Sequence, residues 1–264
     1  MTSIYWFARI ADDLADEGTA SPDERLADLA AFHADLSQVF TAGGGASRRW
    51  PSVFAPLRTA VERHELPMHL LADLLSAFEQ DVTKQAYANR TELLDYCRRS
   101  ANPVGRLLLH LYNINDGQAL QQSDAVCTAL QLINFWQDLG VDTRRGRLYL
   151  PAADCARHGV DPTALLRGQG APGVAALLAE EVGWARAMML DGAPLVHRIG
   201  GRAGWELRLV VQGGLRILDL IEAGGFATQH ARPALRWHDA PRLLWRAMRM
   251  QRNHTATLGK PHDA

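Results

Sequence analysis

An all-α fold follows from three features of the 264-residue sequence. Apolar residues recur at helical spacing along most of the chain. No run of alternating Val, Ile and Thr suggests a strand. The stretches between periodic segments are short and carry helix punctuation. No composition shift marks a linker and no repeat at a solenoid period appears, so a single domain over 1–264 is expected.

The elements follow in order. A first helix is expected near 3–17 and a second near 22–40, the latter opened by Ser21-Pro22 as N-cap and first-turn proline. Thr41 to Ser47, with Gly43-Gly44-Gly45, breaks the chain before a helix near 51–65. This glycine run follows no strand and lacks the GK[ST] ending of a phosphate loop, so it reads as a connector. Leu66-Pro67 separates the next helix, near 67–82. A long helix near 91–116 carries Pro103, which should kink it and free a carbonyl. The segment 122–142 is apolar almost all round, the mark of a buried helix. Helical spacing continues near 172–198 and 203–223, the latter closed by Gly224-Gly225, and more weakly near 240–251.

Composition narrows the function. Lys plus Arg number 28 against 29 Asp plus Glu, a formal net charge of −1, so no positive excess is available to grip nucleic acid. Cys97, Cys127 and Cys155 match no metal or disulfide spacing and suit a reducing cytoplasm. Residues 1–16 lack the features of a signal peptide, and the charge-free run near Ala125–Gln137 falls short of the roughly 20 apolar residues a membrane span needs. The expected location is the cytoplasm. Peripheral contact with the inner membrane face stays open, because a neutral chain rich in Leu and Trp can dock at a lipid surface.

Two helices carry acidic stripes. On the first, Tyr5, Arg9, Asp12 and Asp16 fall within one arc, while Asp13 points about 50–100° away by helix geometry. Carboxylates one turn apart repel, and here they lie at the helix end that favours cations. A solvated acidic face is one reading and a bound cation the other. On the buried helix, Gln131, Asn134, Asp138 and Asp142 project along one arc at spacings of three, four and four. A buried carboxylate needs a polar cavity, a basic neighbour or a metal. Oxygen ligands of this kind suit a hard cation such as Mg²⁺, with phosphate completing the shell. Just downstream, Arg144, Arg145 and Arg147 are either surface counter-charges or clamps for a diphosphate.

Together Arg9-x-x-Asp12-Asp13-x-x-Asp16, Asn134-x-x-x-Asp138-x-x-x-Asp142 and Gly146-Arg147-Leu-Tyr149-Leu-Pro151 resemble the squalene/phytoene synthase family, and the likeness runs from Ile4 to about Met250. The resemblance implies a class I isoprenoid synthase (terpenoid synthase) helical fold with a central cavity. It also implies Mg²⁺ held between two aspartate-rich helices against a prenyl diphosphate. Phe78-Glu-Gln-Asp81-Val-Thr-Lys84, Tyr96 to Arg106 and Asn134-Phe-Trp-Gln137-Asp138 are similar to the bacterial hydroxysqualene synthases of hopanoid biosynthesis. Phytoene and presqualene diphosphate synthases usually have Arg where Gln137 stands, and tend to have Tyr where Gly214 stands. In the implied reaction, presqualene diphosphate loses diphosphate and water captures the cation. Presqualene diphosphate synthase would stand upstream, and a flavin-dependent squalene-forming enzyme downstream.

Carried over by position, Asp12, Asp16, Asn134, Asp138 and Asp142 are the implied metal set. Arg9, Arg144 and Arg147 are the implied diphosphate contacts. Tyr5, Tyr96, Gln131 and Tyr149 would lie near the reacting carbons, with Gln137 in the cavity. Ala101, Val104, Gly105 and Leu108, small or apolar on one helix face, give room for an isoprenoid tail, although ordinary helix packing explains any one of them equally. Head-to-head prenyl condensation and a non-catalytic helical protein that binds a partner or prenyl lipid are the competing readings. No histidine pair has metal-binding spacing, and Ser100 has no evident base partner. The family pattern includes a helix before the first aspartate motif, whereas this sequence opens at Met1-Thr-Ser-Ile4. The expectation is a cavity open on one side, and lower stability and activity than in a chain extended by one helix.

Overall fold

The computed structural model describes residues 2–170 and 172–250. Among them every regular element is helical, apart from one isolated parallel bridge between Ala86 and Leu148.

The first four helices build one core. Helix α1 (Thr2–Asp16) buries Phe7, Ala11 and Ala15, a spacing of four that keeps them on one face. Ser21 caps α2 (Pro22–Phe40), accepting from the Glu24 amide while the Glu24 side chain reaches back to the Ser21 amide. Arg25 latches the turn between the two helices through the carbonyls of Leu14, Glu17, Gly18 and Ala20. Helices α3 (Pro51–His64) and α4 (Met68–Thr83) begin at or just after the expected prolines. Phe7, Phe32 and Phe54 pack ring on ring between α1, α2 and α3, with Leu71 and Leu75 of α4 in the same cluster.

The second core surrounds α7 (Gly117–Gln137), which is packed by α11 (Val174–Gly192) and α12 (Gly201–Ala223). Trp136, Leu132 and Ala129 are fully buried there, as expected of a helix apolar almost all round.

Three expected helices are broken. The 91–116 segment divides into α5 (Arg90–Ser100) and α6 (Asn102–Leu111), because Pro103 sits in the first turn of a new helix rather than inside an old one. The 122–142 segment starts earlier, capped by Asp116, and stops at Gln137. Asp138 leaves helical geometry (φ −99°, ψ 11°) before the short α8 (Leu139–Arg144). The 172–198 segment tightens into a 3₁₀ turn over Ala193–His197. Two short helices were not expected, α9 (Ala152–Arg157) and α10 (Pro162–Leu166). After Gly224-Gly225 the chain runs through an extended segment to a 3₁₀ turn (Trp237–Asp239) and α13 (Ala240–Met248); residue 251 of the expected last helix lies outside the described residues.

Candidate active site

The acidic end of α1 faces the α7–α8 joint and the loop after it. Asp16 reaches across, its Oδ1 accepting from Arg147 Nη2 at 2.6 Å and its Oδ2 from Arg145 Nη1 at 3.1 Å. Asp138 is held by Arg232, paired through Nε and, at 3.1 Å, through Nη2. Arg9 stays on α1, bridging Asp12 at 3.2 Å and Asp13 at 2.8 Å. Basic and acidic groups thus alternate around one opening.

Charge balance there is incomplete. Asp142 is pushed up to about 7, by burial first and by the neighbouring Asp138 carboxylate second, against the pull of Arg147 and Arg145. Burial also raises Asp12, with Asp16 and Asp13 adding to the shift and Arg9 opposing it. On α4, Asp81 is pushed up to about 7 by burial, with Asp12 and Asp16 adding to it while Tyr96 and Arg147 oppose it. Acids on three elements therefore feel one another.

Behind the acids stands an aromatic wall. Tyr96 donates its hydroxyl to Asp81 Oδ2 at 2.9 Å. Tyr149 stacks on Phe135 with ring centroids 3.7 Å apart and planes 7° from parallel, and packs on Tyr87 from the other side. Burial raises both tyrosine hydroxyls far above their ordinary range, so they remain neutral donors. The loop carrying Tyr149 is laced to the α4–α5 connector: Leu148 N donates to Gln85 O at 2.8 Å, and Ala152 N to Tyr87 O at 2.9 Å.

Several expected residues join this site and several do not. Asp12, Asp16, Asp138, Asp142, Arg9, Arg147, Tyr96 and Tyr149 surround it. Gln131 lies part-buried on α7, and Asn134, one turn before Asp138, is exposed. Tyr5 is largely exposed, its ring edge-on to Trp6. Arg144 points away, exposed beside a small pocket shared with Gln229 and His230, because on the short α8 it falls on the face opposite Asp142. Arg145 takes the place expected of it.

Gln137 is not a cavity residue. It is buried, and its Nε2 donates to the Pro233 carbonyl at 2.6 Å. Gly140 helps hold the same segment, since a Cβ there would stand 2.4 Å from the Gln229 carbonyl. These two contacts fix the stretch that brings Arg232 to Asp138. Arg232 and Asp81 are the residues that sequence reasoning did not place. Only Asp81 left a trace, in the Phe78-Glu-Gln-Asp81 motif; Arg232 stands 94 residues from its partner.

An expected outcome follows. Gln137→Ala should lower the melting temperature by about 2–6 °C, since a buried hydrogen bond is worth roughly 1–1.5 kcal/mol. It should also be non-additive with Arg232→Ala in a double-mutant cycle of stability, because both act on one segment. Additive losses would show that Gln137 does not position Arg232.

An apolar groove of about 290 Å³ lies between α6, α7 and α12, lined by Val104, Gly105, Leu108, Leu130, Leu207 and Val210 among others. Three of the expected tail residues line it. Ala101 does not; it forms the joint between α5 and α6. Gly105 has a packing role as well, because a Cβ would meet Ser123 Oγ at 2.3 Å and Cys127 Sγ at 2.6 Å.

Comparison with known proteins bears on the fold and the family. The chain is 32% identical to a hydroxysqualene synthase of Sinorhizobium fredii over 222 residues, covering 83% of this chain and 73% of the relative. It is 34% identical to a hydroxysqualene synthase of Rhodopseudomonas palustris over 229 residues, with the same coverage. A presqualene diphosphate synthase of Rhodopseudomonas palustris is 28% identical over 235 residues, covering 88% of this chain and 81% of that one. Among solved structures, the squalene synthase HpnC from Alicyclobacillus acidocaldarius superimposes with a TM-score of 0.77 at 35% identity, over 85% of this chain and 82% of that one. The fold is therefore the terpenoid synthase helical fold. The family model for squalene/phytoene synthase matches residues 1–239, and the chain belongs to that family.

Proposed function

We propose that the protein is a Mg²⁺-dependent isoprenoid synthase that converts presqualene diphosphate and water to hydroxysqualene and diphosphate. The observation that carries this reading is the cluster of Asp12, Asp16, Asp138 and Asp142 interleaved with Arg9, Arg145, Arg147 and Arg232, with the Tyr96, Tyr149 and Phe135 rings close by. The relatives named hydroxysqualene synthase support the choice of reaction, and Gln137 stands where condensing relatives usually have Arg.

The donor chemistry fits a hard divalent cation. All the acids offer oxygen, and burial, with the neighbouring carboxylates adding to it, raises Asp12 and Asp142, so a cation placed among them would favour their charged forms. Among the described residues no three His, Cys, Asp or Glu side chains converge as a ready cage. Mg²⁺ usually keeps several waters and takes part of its shell from substrate phosphate. The ligands proposed are Asp12 and Asp16 on one side and Asn134, Asp138 and Asp142 on the other. When bound, the ion neutralises charge on the leaving diphosphate.

The chain's own groups do the rest. Arg147, Arg145 and Arg232 exchange carboxylate partners for phosphate oxygens, which guanidinium pairs bidentately. Heterolysis of the carbon–oxygen bond leaves a cyclopropylcarbinyl cation beside Tyr96, Tyr149 and Phe135, whose ring faces favour positive charge, and a cyclopropane carbon–carbon bond breaks as water adds. Water oxygen bonds to carbon and its proton departs to a basic oxygen, so the products balance without a reductant. The apolar groove takes the hydrocarbon and keeps other water away. Presqualene diphosphate comes from a head-to-head condensing enzyme, and the alcohol passes to a redox, flavin-type step.

The test is incubation with presqualene diphosphate and with farnesyl diphosphate, each with Mg²⁺, in ¹⁸O-water. Labelled hydroxysqualene from the first and no C30 product from the second is expected. Presqualene diphosphate made from farnesyl diphosphate would overturn the proposed reaction in favour of condensation, a reading to which the 28% identical relative gives some weight. No turnover of either would favour a non-catalytic member of the family.

A further inference from the structure

Five of the twelve exposed large apolar side chains among the described residues fall within one short segment. Leu235, Trp237, Leu244, Trp245 and Met248 are 42%, 88%, 44%, 51% and 62% exposed, all within the segment that ends in α13. On α13 itself the exposed Pro241, Leu244, Trp245 and Met248 stand at i, i+3, i+4 and i+7, a continuous stripe along the outer face. The inner face is already used. Ala247 is fully buried, Arg246 pairs with Asp219 of α12 at 3.0 Å, and Arg208 of α12 donates to the Ala247 carbonyl. Tertiary contacts thus hold one side of this helix, and the apolar stripe on the other is left uncovered.

The rim of the outer stripe is basic. Arg242 is half exposed on its flank, and Arg249 lies 4.4 Å over the Trp245 ring. Exposed Arg236 precedes Trp237, the most exposed apolar side chain described. Of the four arginines between residues 235 and 250, Arg242 and Arg246 pair with Asp219 of α12, which leaves Arg236 and Arg249 at the surface, and the one acid there, Asp239, is buried against Arg216. Tryptophan at the stripe with arginine at its edge is the composition that rests at the headgroup level of a bilayer: the ring sits at the interface, and the guanidinium meets lipid phosphate.

We propose that the outer face of α13, with Leu235 and Trp237, docks on an anionic phospholipid surface. Charge complementarity selects this occupant over a second copy of the chain, because two such faces would bring arginine against arginine. A geometric relation adds to the case. Leu235 Cδ1 lies 3.7 Å from where a Cβ of Gly213 would stand, and one turn earlier on α12 the 43% exposed Val210 forms part of the groove wall. Exposed apolar surface thus runs from the docking face to the groove. If the groove holds an isoprenoid, which rests on the function proposed above, its water-insoluble product leaves beside lipid.

The experiment is co-sedimentation of the purified chain with phosphatidylglycerol-containing vesicles and with pure phosphatidylcholine vesicles, at low and high salt, without substrate. Binding to the anionic vesicles that weakens with salt is expected. Trp237→Ser with Trp245→Ser should lower the partition coefficient by about tenfold, as the loss of two interfacial rings implies. Arg236→Glu with Arg249→Glu should abolish the preference for anionic lipid. Leu190→Glu, at another exposed apolar position (53%), should bind like the wild type. Circular dichroism controls for folding. Absence of vesicle binding, an equal loss in Leu190→Glu, or self-association lost in Trp245→Ser would each overturn the proposal. Turnover of detergent-dispersed presqualene diphosphate separates the two readings: the Trp245→Ser chain should keep it, and its absence from a wild type that still binds vesicles would count against the catalytic reading alone.

Discussion

Asp138→Asn is expected to lower turnover of presqualene diphosphate by about a thousandfold, because losing a ligand charge removes roughly 4 kcal/mol of stabilisation from the departing diphosphate. Helicity by circular dichroism should barely change, since Asp138 lies between α7 and α8 and makes no side-chain cap there. Wild-type protein in excess chelator should fall to the same floor, and a variant tested with chelator should fall no further. Arg232→Gln provides the contrast. It breaks the same ion pair, so if that pair were only a brace, the two variants would melt alike and both would turn over normally. Near-normal turnover of Asp138→Asn would sink the metal assignment.

The second large effect is on stability. Arg90 of α5 contacts three acids: Asp154 at 2.8 Å, Glu180 at 2.6 Å and Glu181 at 3.0 Å, while its guanidinium lies over the Trp184 ring. Asp154 and Glu181 are 2% and 0% exposed. Arg90→Ala leaves them without that cation and should cost about 3–5 kcal/mol, the penalty for breaking a buried pair, or roughly 10 °C in melting temperature. Burial, helped by the Asp154 carboxylate, holds the Glu181 carboxyl up to about 8, and its Oε2 finds no partner among the described groups. The folded state therefore binds more protons than the unfolded one between the ordinary glutamate value and about 8. In that window stability falls as pH rises. Glu181→Gln should flatten that slope in melting-temperature scans and recover part of the Arg90→Ala loss. An unchanged slope would show that Glu181 ionises normally.

Helix identity was legible wherever punctuation was local. Ser21-Pro22, Leu66-Pro67 and Gly224-Gly225 mark boundaries through residues adjacent in the chain, and helices form or end there. At Ala101 the sequence showed the cause, Pro103, but as a kink rather than as the first turn of a new helix. The break at Asp138 was not legible, because the apolar pattern continues through it; the 228–233 segment packs there, through Gln137 and Arg232. Acid pairs on α1 and at the α7–α8 joint were readable from spacing for the same local reason. Arg232, the choice of Arg145 over Arg144 and the inward turn of Gln137 were not, since each is decided by a partner far away in sequence. Helical periodicity tells which residues share a face, but not which neighbour that face meets.

The bridge at Ala86 and Leu148 has a consequence for how the molecule opens. Its amides are donated across more than sixty residues, from the loop that carries Arg147 and Tyr149 to the connector between α4 and α5. Slow hydrogen exchange is usually the property of helix interiors, yet Leu148, Ala152 and Ala153 can release their amide protons only when two remote stretches of chain separate together. Tyr149, Tyr87 and the Asp16–Arg147 contact straddle that seam. The pocket wall then loosens as one cooperative unit rather than residue by residue, and exchange at the Leu148 amide counts how often it does so.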